Sequence, residues 1–185
     1  MEPNEALKHF GVLSVAVIIC GLIYIVHKWP QGPSRTFSQH IASSKQGITF
    51  YIAFFSLVLP LMLVFFLGWF VPTFNLPIWF SLAIVASAVM QYLCALIPET
   101  GGKKTRYHRA FAFLSADLLL IPIICLVFAD TLSFAARAVS LVATVIMASI
   151  ITGLIINKGE HKHILPLQAS YFAVFFTAIL WATYW

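Results

Sequence analysis

Imidazoles and carboxylates in the polar connecting segments are the first side chains that could do chemistry in this chain. Five of the six histidines and two glutamates lie in or beside three of these segments, which separate long apolar runs. Imidazole with carboxylate suits zinc, iron and related ions, and a bound metal ion can activate water. No HExxH or HxxxH pattern occurs, so the spacing is no strong metal signature. A metal site is kept as an alternative, with the ligands His27, His108, His161, His163 and Glu99.

These histidines also have plainer interpretations. One is that histidines beside basic residues at a membrane surface lie among the phosphate headgroups. Another is pH sensing, because imidazole titrates near neutral pH. His27 and His108 fall at helix ends on one side, which would allow a single haem to be held between them. The sequence names no cofactor.

Asp117 is the single residue that most strongly indicates a site, because it lies inside an apolar run. It lies ten residues or so into that run, about 15 Å from its start and near the middle of a bilayer. An acid at that depth costs about 3 kcal/mol on insertion scales, so it must be protonated or paired. We expect it to face the other helices, to hydrogen-bond to Gln91 or a hydroxyl, and to border a small cavity. With Tyr92 and Arg137 it forms the predicted ligand or proton site; the alternative is an acid that only joins helices.

The composition decides the class of protein that must position these residues. The chain is 61% hydrophobic and only 9% charged, with a mean hydropathy of +0.95. A soluble domain is about 25% charged, so the sequence predicts an integral membrane protein. The net charge of +5 does not indicate a nucleic-acid partner, because the basic residues sit in short segments between apolar runs.

Six apolar runs are long enough to cross a membrane as helices, which takes about 20 residues each. Strands of a barrel would alternate in segments of about ten residues, whereas these runs are longer and continuous. The five connections are short and polar, so we predict one all-α domain over residues 1–185, a bundle of six transmembrane helices. The runs cover residues 10–27, 48–70, 78–98, 108–128, 133–156 and 165–185.

The distribution of lysine and arginine predicts the orientation of this bundle. The first, third and fifth connections hold most of these residues, whereas the second has no charge and the fourth has Asp130, with Arg137 a short way beyond. Lys and Arg concentrate on the cytoplasmic side of membrane proteins. We therefore expect these three connections to be cytoplasmic and both termini to lie outside.

The third connection, IPETGGKKTRYHRAF, is the most basic segment of the chain. Gly101 and Gly102 allow it to close tightly between antiparallel helices. Anionic lipid at the cytoplasmic surface attracts each such basic side chain by about 1 kcal/mol. We expect this segment to bind headgroups through Lys103, Lys104, Arg106 and Arg109.

The same segment carries a family resemblance. A Pro-acid pair ends the third helix, a glycine follows, and a histidine opens the fourth helix; these are Pro98, Glu99, Gly101 and His108. With the helix count and the chain length, the pattern resembles small prokaryotic membrane proteins of domain-of-unknown-function group 998, where an aspartate is expected at the position of Glu99. The resemblance implies a six-helix fold in a prokaryotic cytoplasmic membrane. It implies no activity, because none is established for that group.

The function expected from these features is binding within the membrane. We predict a non-enzymatic protein that binds a lipid or a small ligand, with movement of that ligand or of a proton as an option and Asp117 in its interior. Its expected partners are membrane lipids and other membrane subunits, and not nucleic acid. Two alternatives stay open: an integral-membrane enzyme built on the His/Glu metal site, and a structural subunit of a larger membrane complex.

Overall fold

The fold is an all-helical bundle, seen in a computed structural model that describes residues 4–157 and 162–185. In the described residues six helices are long and apolar enough to cross a membrane, which confirms the predicted fold class. The six spans are Glu5–Lys28, Lys45–Phe74, Ile78–Leu96, Gly102–Val127, Phe134–Ile156 and Ile164–Tyr184.

Among the described residues, the spans and a short additional helix make up eight α-helical elements. The second span is α3 followed by a π-helical segment, Phe66–Phe70, that leads into α4. The other spans are single helices, the first of which is preceded by one 3-10 turn. The elements are α1 (Lys8–Lys28), α2 (Phe37–Ala42), α3 (Lys45–Phe65), α4 (Val71–Phe74), α5 (Ile78–Leu96), α6 (Gly102–Val127), α7 (Phe134–Ile156) and α8 (Ile164–Tyr184).

The spanning helices pack in chain order around a common interior. Each of α1, α3, α5, α6 and α7 contacts the next spanning helix along the chain, and α8 also contacts α1 and α6. Because consecutive spans run in opposite directions, the first, third and fifth connections share one end of the bundle. We call this the basic end, since nine of the eleven lysines and arginines fall in or beside these connections.

The opposite end, the terminal end, holds the start of α1, the end of α8 and the second and fourth connections. There the Lys8 ammonium lies 4.5 Å from the centroid of the Tyr184 ring, and Trp69 Nε1 donates to Glu5 Oε1 at 3.3 Å. Which end faces the cytoplasm stays a prediction.

The short helix α2 lies inside a segment that the sequence indicated only as a connection. Thr36 and Gln39 cap it reciprocally, and Phe37 and Ile41 are buried. Gly47 of α3 gives it room: a Cβ added there would lie 2.7 Å from the carbonyl oxygen of Ile41. The first connection is therefore a folded part of the basic end.

Close packing of α1 on α3 depends on two glycines. A Cβ at Gly11 would meet the ring of Phe65 at 2.7 Å, and a Cβ at Gly21 would overlap the ring of Phe54. Small residues let helix backbones approach within a membrane. Phenylalanines fill the core toward the terminal end; the fully buried ones are Phe65, Phe66, Phe70, Phe80 and Phe175.

Candidate functional site

A cavity of about 580 Å³ runs from the basic end into the interior of the bundle. All six spanning helices and residues 34–39 of the first connection contribute to its wall. Its volume lies within the range of about 300–1,000 Å³ that small-molecule sites occupy. It is therefore large enough to be a ligand site.

The cavity has a polar mouth and an apolar interior. Along α6 the wall extends from Arg109 to Leu119, a rise of about 15 Å, and along α3 from Tyr51 to Leu63, about 18 Å. This depth is roughly half of the ~30 Å hydrocarbon core of a bilayer. The polar and charged residues of the mouth are Ser34, Arg35, Thr36, Ser38, Gln39, Glu99, Arg109, Lys162 and Gln168.

The Glu99 carboxylate is the centre of hydrogen bonding at the mouth, and its side chain is only 3% exposed. Its Oε1 accepts from Arg109 Nε at 2.8 Å and from Gln39 Nε2 at 3.0 Å. Its Oε2 accepts from the hydroxyls of Ser38 at 3.1 Å and Thr36 at 3.2 Å. A buried carboxylate is costly unless it is paired and hydrogen-bonded, and these four donors satisfy it.

Local sequence explains why these donors converge. Gln39 Oε1 accepts from the Thr36 backbone N–H at 3.1 Å, which leaves the Gln39 Nε2 group directed to Glu99. Glu99 follows the end of α5 closely, and Gly101, with φ of 104°, turns the chain into α6. Arg109 lies about two turns into α6, and it returns to the same point.

The mouth carries an excess of positive charge. Arg109 pairs with Glu99 while its side chain stays 44% exposed. Arg35 and Lys162 also line the mouth and are exposed. Among the described lining residues there are thus three cations and one carboxylate, so the mouth presents a positive potential to a ligand.

Just inside the mouth, a buried thiol and a buried imidazole are in contact. His108 Nδ1 lies 2.6 Å from the Ile97 carbonyl oxygen, and Cys94 Sγ lies 3.3 Å from His108 Nε2. Because a carbonyl oxygen only accepts, Nδ1 carries the proton and Nε2 accepts from the thiol.

The same contact could suggest a nucleophile with its base, but the surroundings disfavour a thiolate. The Cys94 side chain is buried, and it lies in the last turn of α5, where the helix dipole opposes negative charge. We therefore interpret the pair as a link between α5 and α6.

Deeper in the cavity the polar groups belong mostly to contacts between helices. Ser87 Oγ donates to the Ser115 carbonyl at 2.9 Å, and Ser115 Oγ donates to the Ser87 carbonyl at 3.1 Å. The Tyr171 hydroxyl donates to the Ala116 carbonyl. Such short polar contacts join helices in membranes. Gln91 also lines this part of the cavity.

Asp117 lies on the exposed face of α6 and does not line the cavity. Ser115 and Leu119 are buried and line it. Residues two positions apart point in nearly opposite directions on a helix of 3.6 residues per turn, so Asp117 must turn away. The predicted position, facing the other helices beside a cavity, is wrong. A proton or ligand role for Asp117 stays a prediction and would operate at the outer face of α6.

Tyr92 and Arg137 also lie apart from the cavity. The exposed Tyr92 hydroxyl accepts from Ser56 Oγ at 3.3 Å. Arg137 Nη1 lies 3.3 Å from Asp130 Oδ1 at the terminal end. Of the four residues predicted to form a ligand site, all of them described, Gln91 is the one that lines the cavity.

The predicted metal ligands are dispersed in the described residues. His27 and His163 are exposed, His108 bonds to Ile97 and Cys94, and Glu99 is occupied by Arg109 and its other donors. His161 lies outside the described residues. Within residues 4–157 and 162–185 no three His, Cys, Asp or Glu side chains come together as a metal site.

The predicted headgroup-binding residues divide into two kinds. Lys103, Lys104 and Arg106 are exposed at the start of α6, where they can reach a membrane surface. Arg109, in contrast, is held by Glu99 at the mouth of the cavity. Headgroup binding by all four residues stays a prediction.

Sequence reasoning missed several residues of the mouth, among them Arg35, Ser38, Gln39 and Lys162. One local signal was present, because a threonine followed three residues later by a glutamine is the pattern of a helix capping box. That pattern, at Thr36 and Gln39, would have indicated a helix in the first connection. The long-range approach of this helix to Glu99 has no signal in a single sequence.

Comparisons with protein-family models, curated proteins and solved structures found no match to this chain. The resemblance to domain-of-unknown-function group 998 therefore stays a prediction, and any functional conclusion rests on the geometry of the cavity.

Proposed function

We propose that this membrane protein binds an amphiphilic small molecule, with the apolar part in the bundle and the polar part at the mouth. The observation that carries this proposal is the lining of the 580 Å³ cavity, which changes from charged and polar at the basic end to apolar at depth. A lipid or lipid-like ligand has the same division. Movement of the ligand across the membrane is an optional addition to this proposal. It would need a further step, because the folded first connection at the mouth would have to open.

The location that accompanies this proposal is a prokaryotic cytoplasmic membrane, with the basic end inside. Its support is the concentration of lysine and arginine at one end, together with the resemblance of Pro98, Glu99, Gly101 and His108 to group 998.

Filling the cavity tests the proposal. Ala112 lines the cavity, whereas Ala110, two residues earlier on α6, is exposed and does not. Protein in a mild non-ionic detergent is titrated with a fluorescent single-chain fatty acid. We expect Ala112→Phe to weaken binding at least tenfold, because the added ring occupies ligand space, while Ala110→Phe binds as the wild type does. Circular dichroism checks that both variants keep their helices. Equal binding by all three proteins would contradict the proposal.

A second candidate function is that of a subunit in a larger membrane assembly, and the exposure of Asp117 favours it. An acid facing hydrocarbon near the middle of a bilayer costs about 3 kcal/mol on insertion scales. A neighbouring chain that offers a hydrogen-bond donor to Asp117 would remove that cost. The outer face of α6 around this residue would then be the contact surface.

Association in a native-like membrane tests this second candidate. Complexes are released in nanodiscs formed directly from the source membrane and sized by mass photometry. We expect Asp117→Leu, which suits lipid, to shift the protein from a larger assembly to the single chain, while Leu57→Ala, at an exposed position of α3 and away from the proposed surface, changes nothing. A single chain in the wild type, or an assembly unaffected by Asp117→Leu, would contradict it.

A further inference from the structure

We infer that the ligand is an anionic amphiphile with a single long hydrocarbon chain, its charged head held at the mouth by Arg35, Arg109 and Lys162. This inference rests on the proposed function, because it names the chemical class of the molecule that the cavity takes. Charge, depth and volume of the cavity each contribute one step.

The charge of the head follows from the lining residues of the mouth. Arg109 Nε is bound to Glu99, but the Arg109 side chain is 44% exposed, so its terminal nitrogens can reach a ligand. Arg35 and Lys162 line the same opening from the first connection and from the residues before α8. Guanidinium groups bind carboxylate and phosphate oxygens in forked pairs, and an ammonium adds a point charge.

The one acid of the described lining does not oppose an anion. The Glu99 oxygens are taken by Arg109, Gln39, Ser38 and Thr36, and its side chain is 3% exposed. Glu99 therefore positions Arg109 at the mouth while offering little surface to the ligand. A cationic head, in contrast, would meet three positive groups.

The depth of the cavity indicates a hydrocarbon chain that matches one leaflet. The wall reaches from Arg109 at the mouth to Leu119 on α6 and to Leu63 on α3, about 15–18 Å by helical rise. One leaflet of a bilayer contributes about half of a ~30 Å core. A chain of ordinary membrane-lipid length thus fills the cavity when its head is at the mouth.

The volume of the cavity indicates one chain and not two. At 580 Å³ the cavity lies within the range of about 300–1,000 Å³ that sites for one small molecule occupy. One long chain suits a space of that size. A phospholipid with two chains would have to leave one of them outside the bundle.

Four probes separate these features in native mass spectrometry titrations from a non-ionic detergent. Oleoyl lysophosphatidate has one chain and a phosphate, monoolein has the same chain without charge, dioleoyl phosphatidate has two chains, and inorganic phosphate has no chain. We expect one lysophosphatidate per protein, with an apparent Kd at least tenfold below that of each other probe.

Charge-removing variants locate the head. Arg35→Gln and Lys162→Gln should each weaken lysophosphatidate binding about five- to tenfold and leave monoolein binding unchanged, because each removes one charge-assisted contact. Lys28→Gln is the matched control, since Lys28 is exposed at the basic end but does not line the cavity.

The outcomes separate failure of the anionic, single-chain ligand from failure of the proposed amphiphile binding. Equal binding of lysophosphatidate and monoolein, or no effect of either charge removal, would overturn the anionic head while the amphiphile site stands. Equal binding of dioleoyl phosphatidate would overturn the single chain. Binding of inorganic phosphate as tight as that of lysophosphatidate would replace the lipid by a free anion. Failure of every chain-bearing probe to bind would remove the proposed function itself.

Discussion

At the scale of single residues, Glu99 is the group whose removal should disturb the basic end most. Its carboxylate joins the first connection to α6 through Gln39, Ser38, Thr36 and Arg109. Removing one partner of a buried ion pair costs about 3–5 kcal/mol, but Arg109 is partly exposed and can recover water. We therefore expect Glu99→Ala to lower the free energy of unfolding by about 2–3 kcal/mol, measured by SDS-induced unfolding in mixed micelles.

Two variants control this experiment. Glu99→Gln keeps an oxygen for the hydroxyl donors and should lose less, about 1 kcal/mol. Asp130→Asn breaks the other described ion pair, which Asp130 makes with Arg137; the Asp130 side chain is 97% exposed. Because a surface ion pair contributes about 0–1 kcal/mol, the free energy of unfolding should change by close to zero. A loss in Glu99→Ala no larger than in Asp130→Asn would show that the network does not hold the first connection in place.

His108 gives a second prediction at the residue scale. Its Nδ1–H satisfies the Ile97 carbonyl, and the ring is 3% exposed. His108→Ala leaves that carbonyl without its donor and opens a void, so we expect the free energy of unfolding to fall by about 2–3 kcal/mol. His27→Ala, at an exposed position, should change it by less than about 0.5 kcal/mol.

Cys94→Ala separates a packing role from a chemical one. The thiol makes only a weak hydrogen bond to the imidazole, so this variant should fold almost as well as the wild type and bind the same probes. If any activity of the protein were abolished by Cys94→Ala while folding and probe binding stayed intact, the interpretation of the pair as a link between α5 and α6 would be wrong.

At the scale of elements, the contact between α1 and α3 depends on the missing side chain of Gly21. A Cβ there would overlap the Phe54 ring, which itself is buried. We expect Gly21→Ala to cost about 1–3 kcal/mol of unfolding free energy, as overpacking does. Gly153→Ala on α7, where nothing lies within 4 Å of the new Cβ, should be neutral or stabilising by up to about 1 kcal/mol. The reverse order of the two stabilities would show that α1 and α3 do not approach this closely.

The spans themselves could be predicted from the sequence because long apolar runs have few folded solutions in a membrane. The short elements could not. Helix α2 has only six residues, and the bonds that hold it reach Glu99 and Gln168, about 60 and 130 positions away. The π-helical segment Phe66–Phe70 lies within a uniform apolar run. Hydropathy cannot distinguish π-helical from α-helical hydrogen bonding there.

At the scale of the whole molecule, the helix on which a residue lies could be predicted and its direction could not. The apolar runs placed Gln91 in the third span and Asp117 in the fourth, and the structure has them there. The direction in which a side chain points depends on which face of its helix packs inward. Apolar residues surround the membrane-spanning part of α6 on nearly all sides, so the sequence pattern does not show which face is buried. In the structure the buried face is marked by Ser115 and Leu119. Gln91 lines the cavity and Asp117 does not.

The orientation of the whole bundle can be tested by cysteine accessibility in intact cells. Nine of the eleven lysines and arginines fall in or beside the first, third and fifth connections of the sequence, so the basic end should be cytoplasmic. We expect Lys45→Cys, Lys104→Cys and Lys162→Cys to resist a membrane-impermeant maleimide until the cells are opened, and Asp130→Cys to react at once. All four positions are exposed in the structure, so protection reports the membrane and not burial. The native cysteines lie within the spans, and the wild type serves as the unlabelled control. Labelling of the three lysine positions with protection of Asp130→Cys would reverse the orientation and place the mouth of the cavity on the outer surface.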